Sequence, residues 1–128
     1  MPMMTSELLL YAGSAVLAVW GVAHLLPTRE VVRGFGEISE DSTYVITMEW
    51  IAEGLAHLFV ALLVVLVTAI AGPDETASVV TYLVSAGFLV AIGVLTQVTG
   101  ARVPVMWFKL CPVVMAIVAG AFIVASLL

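Results

Sequence analysis

At 128 residues the chain is a single domain, and 63% apolar against 10% charged residues, with a mean hydropathy of +1.23, excludes an ordinary soluble composition. A net charge of −5 with only four basic residues excludes a nucleic-acid surface and a polybasic lipid patch. The lone cysteine, Cys111, excludes an intramolecular disulfide and a CxxC pair, and near a helix start it reads as a soft packing residue.

Apolar runs occupy about 8–26, 44–71, 77–99 and 105–128. Each can cross a hydrocarbon core of about 30 Å, which takes roughly 20 helical residues. Backbone groups in lipid leave only helices or closed barrels, and the runs lack the alternation of a barrel strand. The predicted fold is therefore all-α: a polytopic integral membrane protein, a four-transmembrane-helix bundle forming one domain over 1–128.

Run one follows "MPMMTSE", which has no basic n-region, and ends in "HLLPTRE" rather than at a small-residue cleavage site, so it is expected to be a retained span. The segment 28–38 spaces Val31, Val32, Phe35 and Ile38 as an amphipathic turn or two. It is expected to be capped by Thr28, broken by Gly34 and Gly36, and laid along the headgroups as a lid. "AGPDET" is a tight turn, with Asp74 or Thr76 as N-cap of span three, which should pack antiparallel to span two. Pro104 in "GARVP" can start span four. The pairs Ser14 and Ala18, Gly87 and Ala91, and Ala116 and Gly120 would permit close helix approach.

Arg29 and Arg33 follow span one, and Arg102 and Lys109 flank the start of span four. Positive-inside reasoning puts these connections in the cytoplasm and both termini outside, in the cell inner (plasma) membrane.

Against this background "MEWIAEGLAHLF" places Glu49, Glu53 and His57 at four-residue intervals in span two. From a start near Tyr44 they lie at most roughly 7, 13 and 20 Å along the helix, rotated by about 40° per step. A charge facing lipid at mid-span costs at least ~2.5 kcal/mol, so this face should point into the bundle. His24, Gln97, Thr96 and Lys109 fall in the same half, while the outer half offers only Tyr11, Thr68, Ser78, Thr81 and Tyr82. The expectation is a cytoplasm-facing polar pocket whose ligand- or proton-binding candidates are Glu53, Glu49, His57, His24, Lys109 and Gln97. Trp20, Trp50 and Trp107 serve either as interface anchors or as pocket walls. The plainer reading of Glu53 is a structural pair with Lys109, His24 or Gln97. His24 can cap the end of span one or reach across to Glu49 or Glu53.

Glu53 and His57 have the chemistry of metal ligands, but Glu-x-x-x-His appears once and is not the doubled Glu-x-x-His of a dimetal bundle, so no metal site is assigned. Nothing in the sequence names a cofactor.

The order Gly21, His24, Pro27, a loop, then "EGL" at 53–55 and an aliphatic run resembles the small four-helix DoxX-like membrane proteins over roughly the first half of the chain. The resemblance implies a four-span bundle and a redox-linked membrane subunit, and carries over no catalytic residue. The small multidrug-resistance exporters are similar in length and span number, but their membrane-embedded Glu lies in span one. The four-span sterol isomerase-like fold is similar in pairing His with Glu, in the opposite order.

The leading expectation is a non-enzymatic binding or accessory subunit holding a small ligand, quinone headgroup or proton. Its partners are the lipid bilayer and either a second copy or a membrane partner subunit. One alternative is a proton-coupled transporter acting as a dimer, with Glu53 as the coupling carboxylate. Another is an enzyme using Glu53 and His57 as acid and base on a lipid-soluble substrate.

Overall fold

The apolar runs, interrupted at Pro27, Gly72 and Pro104, fold as four long helices joined by short connections. The computed structural model describes residues 2–128, with side chains from residue 4. In order these are α1 (Pro2–Leu25), α2 (Thr28–Arg33), α3 (Glu40–Ala71), α4 (Thr76–Val98), a 3-10 turn (Gly100–Arg102) and α5 (Met106–Ala125). Among the described residues there is no strand, and α1, α3, α4 and α5 are long and apolar enough to cross a membrane. α1 packs along α3 and α5, and α4 packs along α5 and less extensively along α3. The long helices thus form a ring in the order α1, α3, α4, α5, with α2 against α3. At its centre Leu10, Leu17, Val64, Tyr82, Leu89, Met115, Val118 and Phe122 have no exposed surface.

Helix ends depart from the apolar runs where polar capping takes over. α3 starts at Glu40, ahead of the run at 44, because Ser39 accepts the Ser42 N–H at 3.1 Å and Glu40 and Asp41 occupy the first turn, where the helix dipole favours carboxylates. α1 likewise starts at Pro2 rather than at 8. The amphipathic segment expected over 28–38 is helical only for Thr28–Arg33. Thr28 does not cap it: its hydroxyl donates to the Leu25 carbonyl at 2.6 Å. Neither Asp74 nor Thr76 caps α4, whose N-cap is Glu75 without a side-chain bond. Gly72 reverses the chain with φ +96°, in the region open to glycine. Pro104 stays outside α5, while Pro112 sits inside it and deprives the Phe108 carbonyl of its helical donor.

α1 and α3 approach closely where they cross. A Cβ on Gly21 would fall 2.9 Å from Leu58 Cγ and 3.1 Å from the Gly54 carbonyl; one on Gly54 would fall 2.6 Å from Leu25 Cδ2 and 3.3 Å from the Gly21 carbonyl. The small-residue pairs read from the sequence are mostly elsewhere. Gly87, Ala91 and Ala116 are exposed, and a Cβ on Gly87 or Gly120 would meet nothing within 4 Å. Only Ser14 of those pairs is fully buried.

This difference sets a stability test. Gly54→Val should destabilise the purified protein by about 1–3 kcal/mol through overpacking. Gly87→Ala, with open space at its Cβ, should leave stability unchanged or raise it by up to about 1 kcal/mol. Thermal unfolding in detergent followed by circular dichroism reads both, and equal effects would show that the two helix faces are packed alike.

Candidate functional site

Because Gly21 lies opposite Gly54 in antiparallel helices, α1 ends about level with Trp50. The first ten residues of α3 run beyond that end. Measured from it, Glu53 lies roughly 4–5 Å and His57 roughly 10 Å into the bundle at 1.5 Å per residue, shallower than a count from Tyr44 gives.

At this level the His24 ring stacks on Trp50 with centroids 3.9 Å apart and planes 14° from parallel. The Trp50 indole N–H donates to the His24 carbonyl at 2.7 Å, meeting one of the last-turn carbonyls that a helix end leaves without a partner. His57 sets its ring nearly perpendicular to His24 at 5.8 Å, and Phe108 meets Trp50 edge-on at 5.5 Å with the planes 67° apart. His24 Nε2 is 3.7 Å from Glu53 Oε2, a charge contact longer than a hydrogen bond. From α5, the Cys111 thiol reaches Thr96 Oγ1 on α4 at 3.9 Å.

Two features define this cluster. Burial is graded: the Glu53 side chain is 32% exposed, His24 8% and His57 0%. Its polar atoms are also poorly matched within the protein. Both ring nitrogens of His57, Nε2 of His24 and the indole nitrogen of Trp20 are buried without a hydrogen-bond partner. An atom left without any partner would forfeit about 1–3 kcal/mol, so these four are positions where a water or ligand can bond.

Of the residues singled out in the sequence, the fold brings together His24, Glu53, His57, Trp20 and Trp50. It does not bring in the others. Glu49 is exposed, because two 40° steps turn it about 80° away from the direction of His57. Trp50 takes its place, since a seven-residue offset returns to within about 20° of His57. Lys109 is exposed, and among the described residues the ion-pair contact of Glu53 is with His24. Trp107 is 70% exposed, and its neighbour Phe108 supplies the wall instead. Gln97 lines an apolar groove of about 290 Å³ on the outside of α4 and α5, away from the cluster. Among the described residues no group of three or more His, Cys, Asp or Glu could hold a metal ion, so Glu53 and His57 are not joined by a third ligand.

Phe108 is the cluster member that sequence reasoning missed. Its signal was phase: it lies one turn before Cys111 on the face that continues through Met115, Val118 and Phe122, which is the buried one. Comparison with protein-family models, with curated proteins and with solved structures found no match for this chain.

Two substitutions separate matched from unmatched polar groups. Thr68→Val removes a buried hydroxyl that bonds Tyr82 Oη at 2.7 Å and the Val64 carbonyl at 2.7 Å, and should cost about 1–2 kcal/mol. His57→Leu removes an imidazole with no bond to lose and should be neutral or stabilising. Detergent unfolding of both variants reads the contrast, and a large loss at His57 would mean that its ring is tied down within the fold.

Proposed function

We propose that the chain is a multi-pass protein of the cell inner membrane that binds a small hydrogen-bonding ligand at the His24–Glu53–His57 cluster. The four long apolar helices support the membrane reading. The observation that carries the binding reading is His57, fully enclosed with neither ring nitrogen bonded. Donors and acceptors kept unpaired in an apolar surround bind a matching group strongly, because water does not compete there.

The surrounding chemistry narrows the ligand. The Trp20 indole can only donate, and neutral His24 and His57 can each donate through one nitrogen and accept through the other. Flat rings of Trp50 and Phe108 border them. Glu53, a third exposed, is the group through which a proton can reach them. A flat headgroup with carbonyl acceptors, such as a quinone, fits these donors and is itself soluble in lipid. The chain then acts as a binding or accessory subunit of a membrane system, in keeping with the DoxX-like order of Gly21, His24 and Pro27.

Arg29, Arg33, Arg102 and Lys109 all lie at the cluster end of the bundle, which supports a cytoplasmic position for that end with both termini outside. A C-terminal alkaline phosphatase fusion should therefore be active, and an inactive one would invert the topology. For binding, the test is tryptophan fluorescence of the protein in nanodiscs titrated with a short-chain benzoquinone. Saturable quenching is expected for the wild type, and its loss in His57→Leu and weakening in Glu53→Gln. Linear, unsaturable quenching that is the same in all three would overturn the proposed ligand.

A further inference from the structure

The cluster end of the bundle carries its charge unevenly. On the α2–α3 side Arg29 and Arg33 stand among Glu30, Glu37, Glu40 and Asp41. From Thr76 onward the chain has no Asp or Glu, so the α4–α5 side of the same end carries Arg102 and Lys109 alone, both exposed. Among the described residues neither makes an ion pair. A chain of net charge −5 therefore presents two uncompensated cations on one side.

That side also holds the groove of about 290 Å³ between α4 and α5. Leu89 and Gly93 are buried at its floor, while Val90, Val94 and Ala116 are exposed along its rims. Its depth comes from Gly93, where a Cβ would lie 3.2 Å from Met115 Cβ and 3.7 Å from the Pro112 carbonyl. From this close approach Gln97 is one turn further along α4, and Lys109 is roughly one turn back along α5. The two helices are antiparallel, so both residues sit at about the same height, roughly 5–7 Å nearer the connection. Gln97 lines the groove. Lys109 points the same way as its wall residue Ala116, since a seven-residue offset returns to within about 20°. Arg102 belongs to the 3-10 turn that closes this end, and that turn packs on the start of α5, where a Cβ on Gly100 would lie 3.3 Å from the Phe108 ring. The groove thus has a polar end and an apolar end, with Leu89 roughly 12 Å deeper than Gln97.

We propose that, given the membrane reading above, this groove holds one anionic phospholipid, with an acyl chain along Leu89, Gly93 and Ala116 and the phosphate beside Gln97, Lys109 and Arg102.

Each part of the occupant answers a feature of the groove. A wholly apolar occupant would leave the amide and both cations unused. A phosphate accepts hydrogen bonds from an ammonium, a guanidinium and an amide NH2, and the charged ones are the strong ones. A zwitterionic headgroup brings an ammonium of its own against Lys109, whereas an anionic one brings only the matching sign. Lysine suits the boundary because its stem lies along apolar surface while its charge reaches the headgroup level, and basic pockets between membrane helices bind anionic headgroups. A second copy fits this face poorly: with no carboxylate from Thr76 onward, two such faces would set Arg102 and Lys109 against like charges.

The test uses the full chain in detergent micelles carrying equal amounts of phosphatidylglycerol and phosphatidylcholine, and native mass spectrometry reads the lipid that stays bound. Severalfold more phosphatidylglycerol than phosphatidylcholine is expected on the wild type and on Arg33→Gln, which removes a cation from the other side. Lys109→Gln should bring the ratio close to one. Ala116→Leu, which fills the groove and leaves the charge unchanged, should lower retention of both lipids severalfold, each variant being checked for helix content and thermal midpoint. No preference in the wild type, a preference that survives Lys109→Gln, or one lost equally in Arg33→Gln would overturn the site. Unchanged retention in Ala116→Leu would overturn the groove as the seat of the chain. A lipid-free dimer that Ala116→Leu splits would give the groove to a second copy and overturn the lipid. Flotation with phosphatidylcholine vesicles reads the membrane proposal separately: a chain that does not float defeats that reading, whereas one that floats but shows no lipid preference defeats this site alone.

Discussion

The contact between Gly21 and Gly54 decides where every polar group near the cluster falls. With no side chain on either residue, α1 and α3 approach until each carbonyl lies within van der Waals reach of the opposite helix. One turn further along α1, His24 is carried over the face of Trp50, and the indole reaches the His24 carbonyl. Glu53 and His57, one residue before and three after Gly54, are thereby fixed against α1 rather than against lipid. A wider crossing would leave His24 at a frayed helix end and His57 beside an apolar neighbour.

Within this frame the chain treats polar groups in two ways. At the far end Thr68 and Tyr82 satisfy each other in the core, and Thr68 also bonds the carbonyl one turn back, so this pair ties α3 to α4. At the cluster end the rings are held by stacking and edge contacts while both nitrogens of His57 and Nε2 of His24 stay unbonded within the protein. Stacking fixes a ring without consuming its hydrogen-bonding capacity. The same side chains can therefore be rigid in position and open in chemistry, a combination that suits binding or proton exchange better than it suits stability.

The long helices were legible in the sequence because hydropathy over roughly twenty residues is a sum, and sums survive local exceptions. Their ends were less legible. Ser39, Glu40 and Asp41 start α3 by capping and dipole effects that an apolar window does not register. Within the site, His24, Glu53 and His57 stood out as ionisable groups in an apolar run, and Glu49, Lys109, Gln97 and Trp107 entered beside them as candidates. What separates them is rotational phase relative to neighbours, and this depends on which faces of α1 and α5 meet α3. Glu49 shares the spacing of Glu53 and His57 yet faces outward, and Trp107 adjoins Phe108 yet points away from the bundle. Ser14 read as a small packing residue, since its full burial without a hydrogen-bond partner shows only in three dimensions.

The overhang of α3 explains how so enclosed a site remains within reach of the aqueous side. α3 has 32 residues, roughly 48 Å of helix against a hydrocarbon core of about 30 Å, and the excess lies at the end where α1 stops. There α2 packs on α3 and the arginines of α2 are exposed. Trp50 sits at the boundary and covers His24, whereas Glu53, one turn deeper, keeps a third of its side chain exposed. Access is thus from the flank, past a carboxylate, rather than through an open mouth at the end of the bundle. A proton can use such an entrance by exchanging at Glu53. The flat headgroup proposed above would enter by displacing the indole, which breaks its bond to the His24 carbonyl.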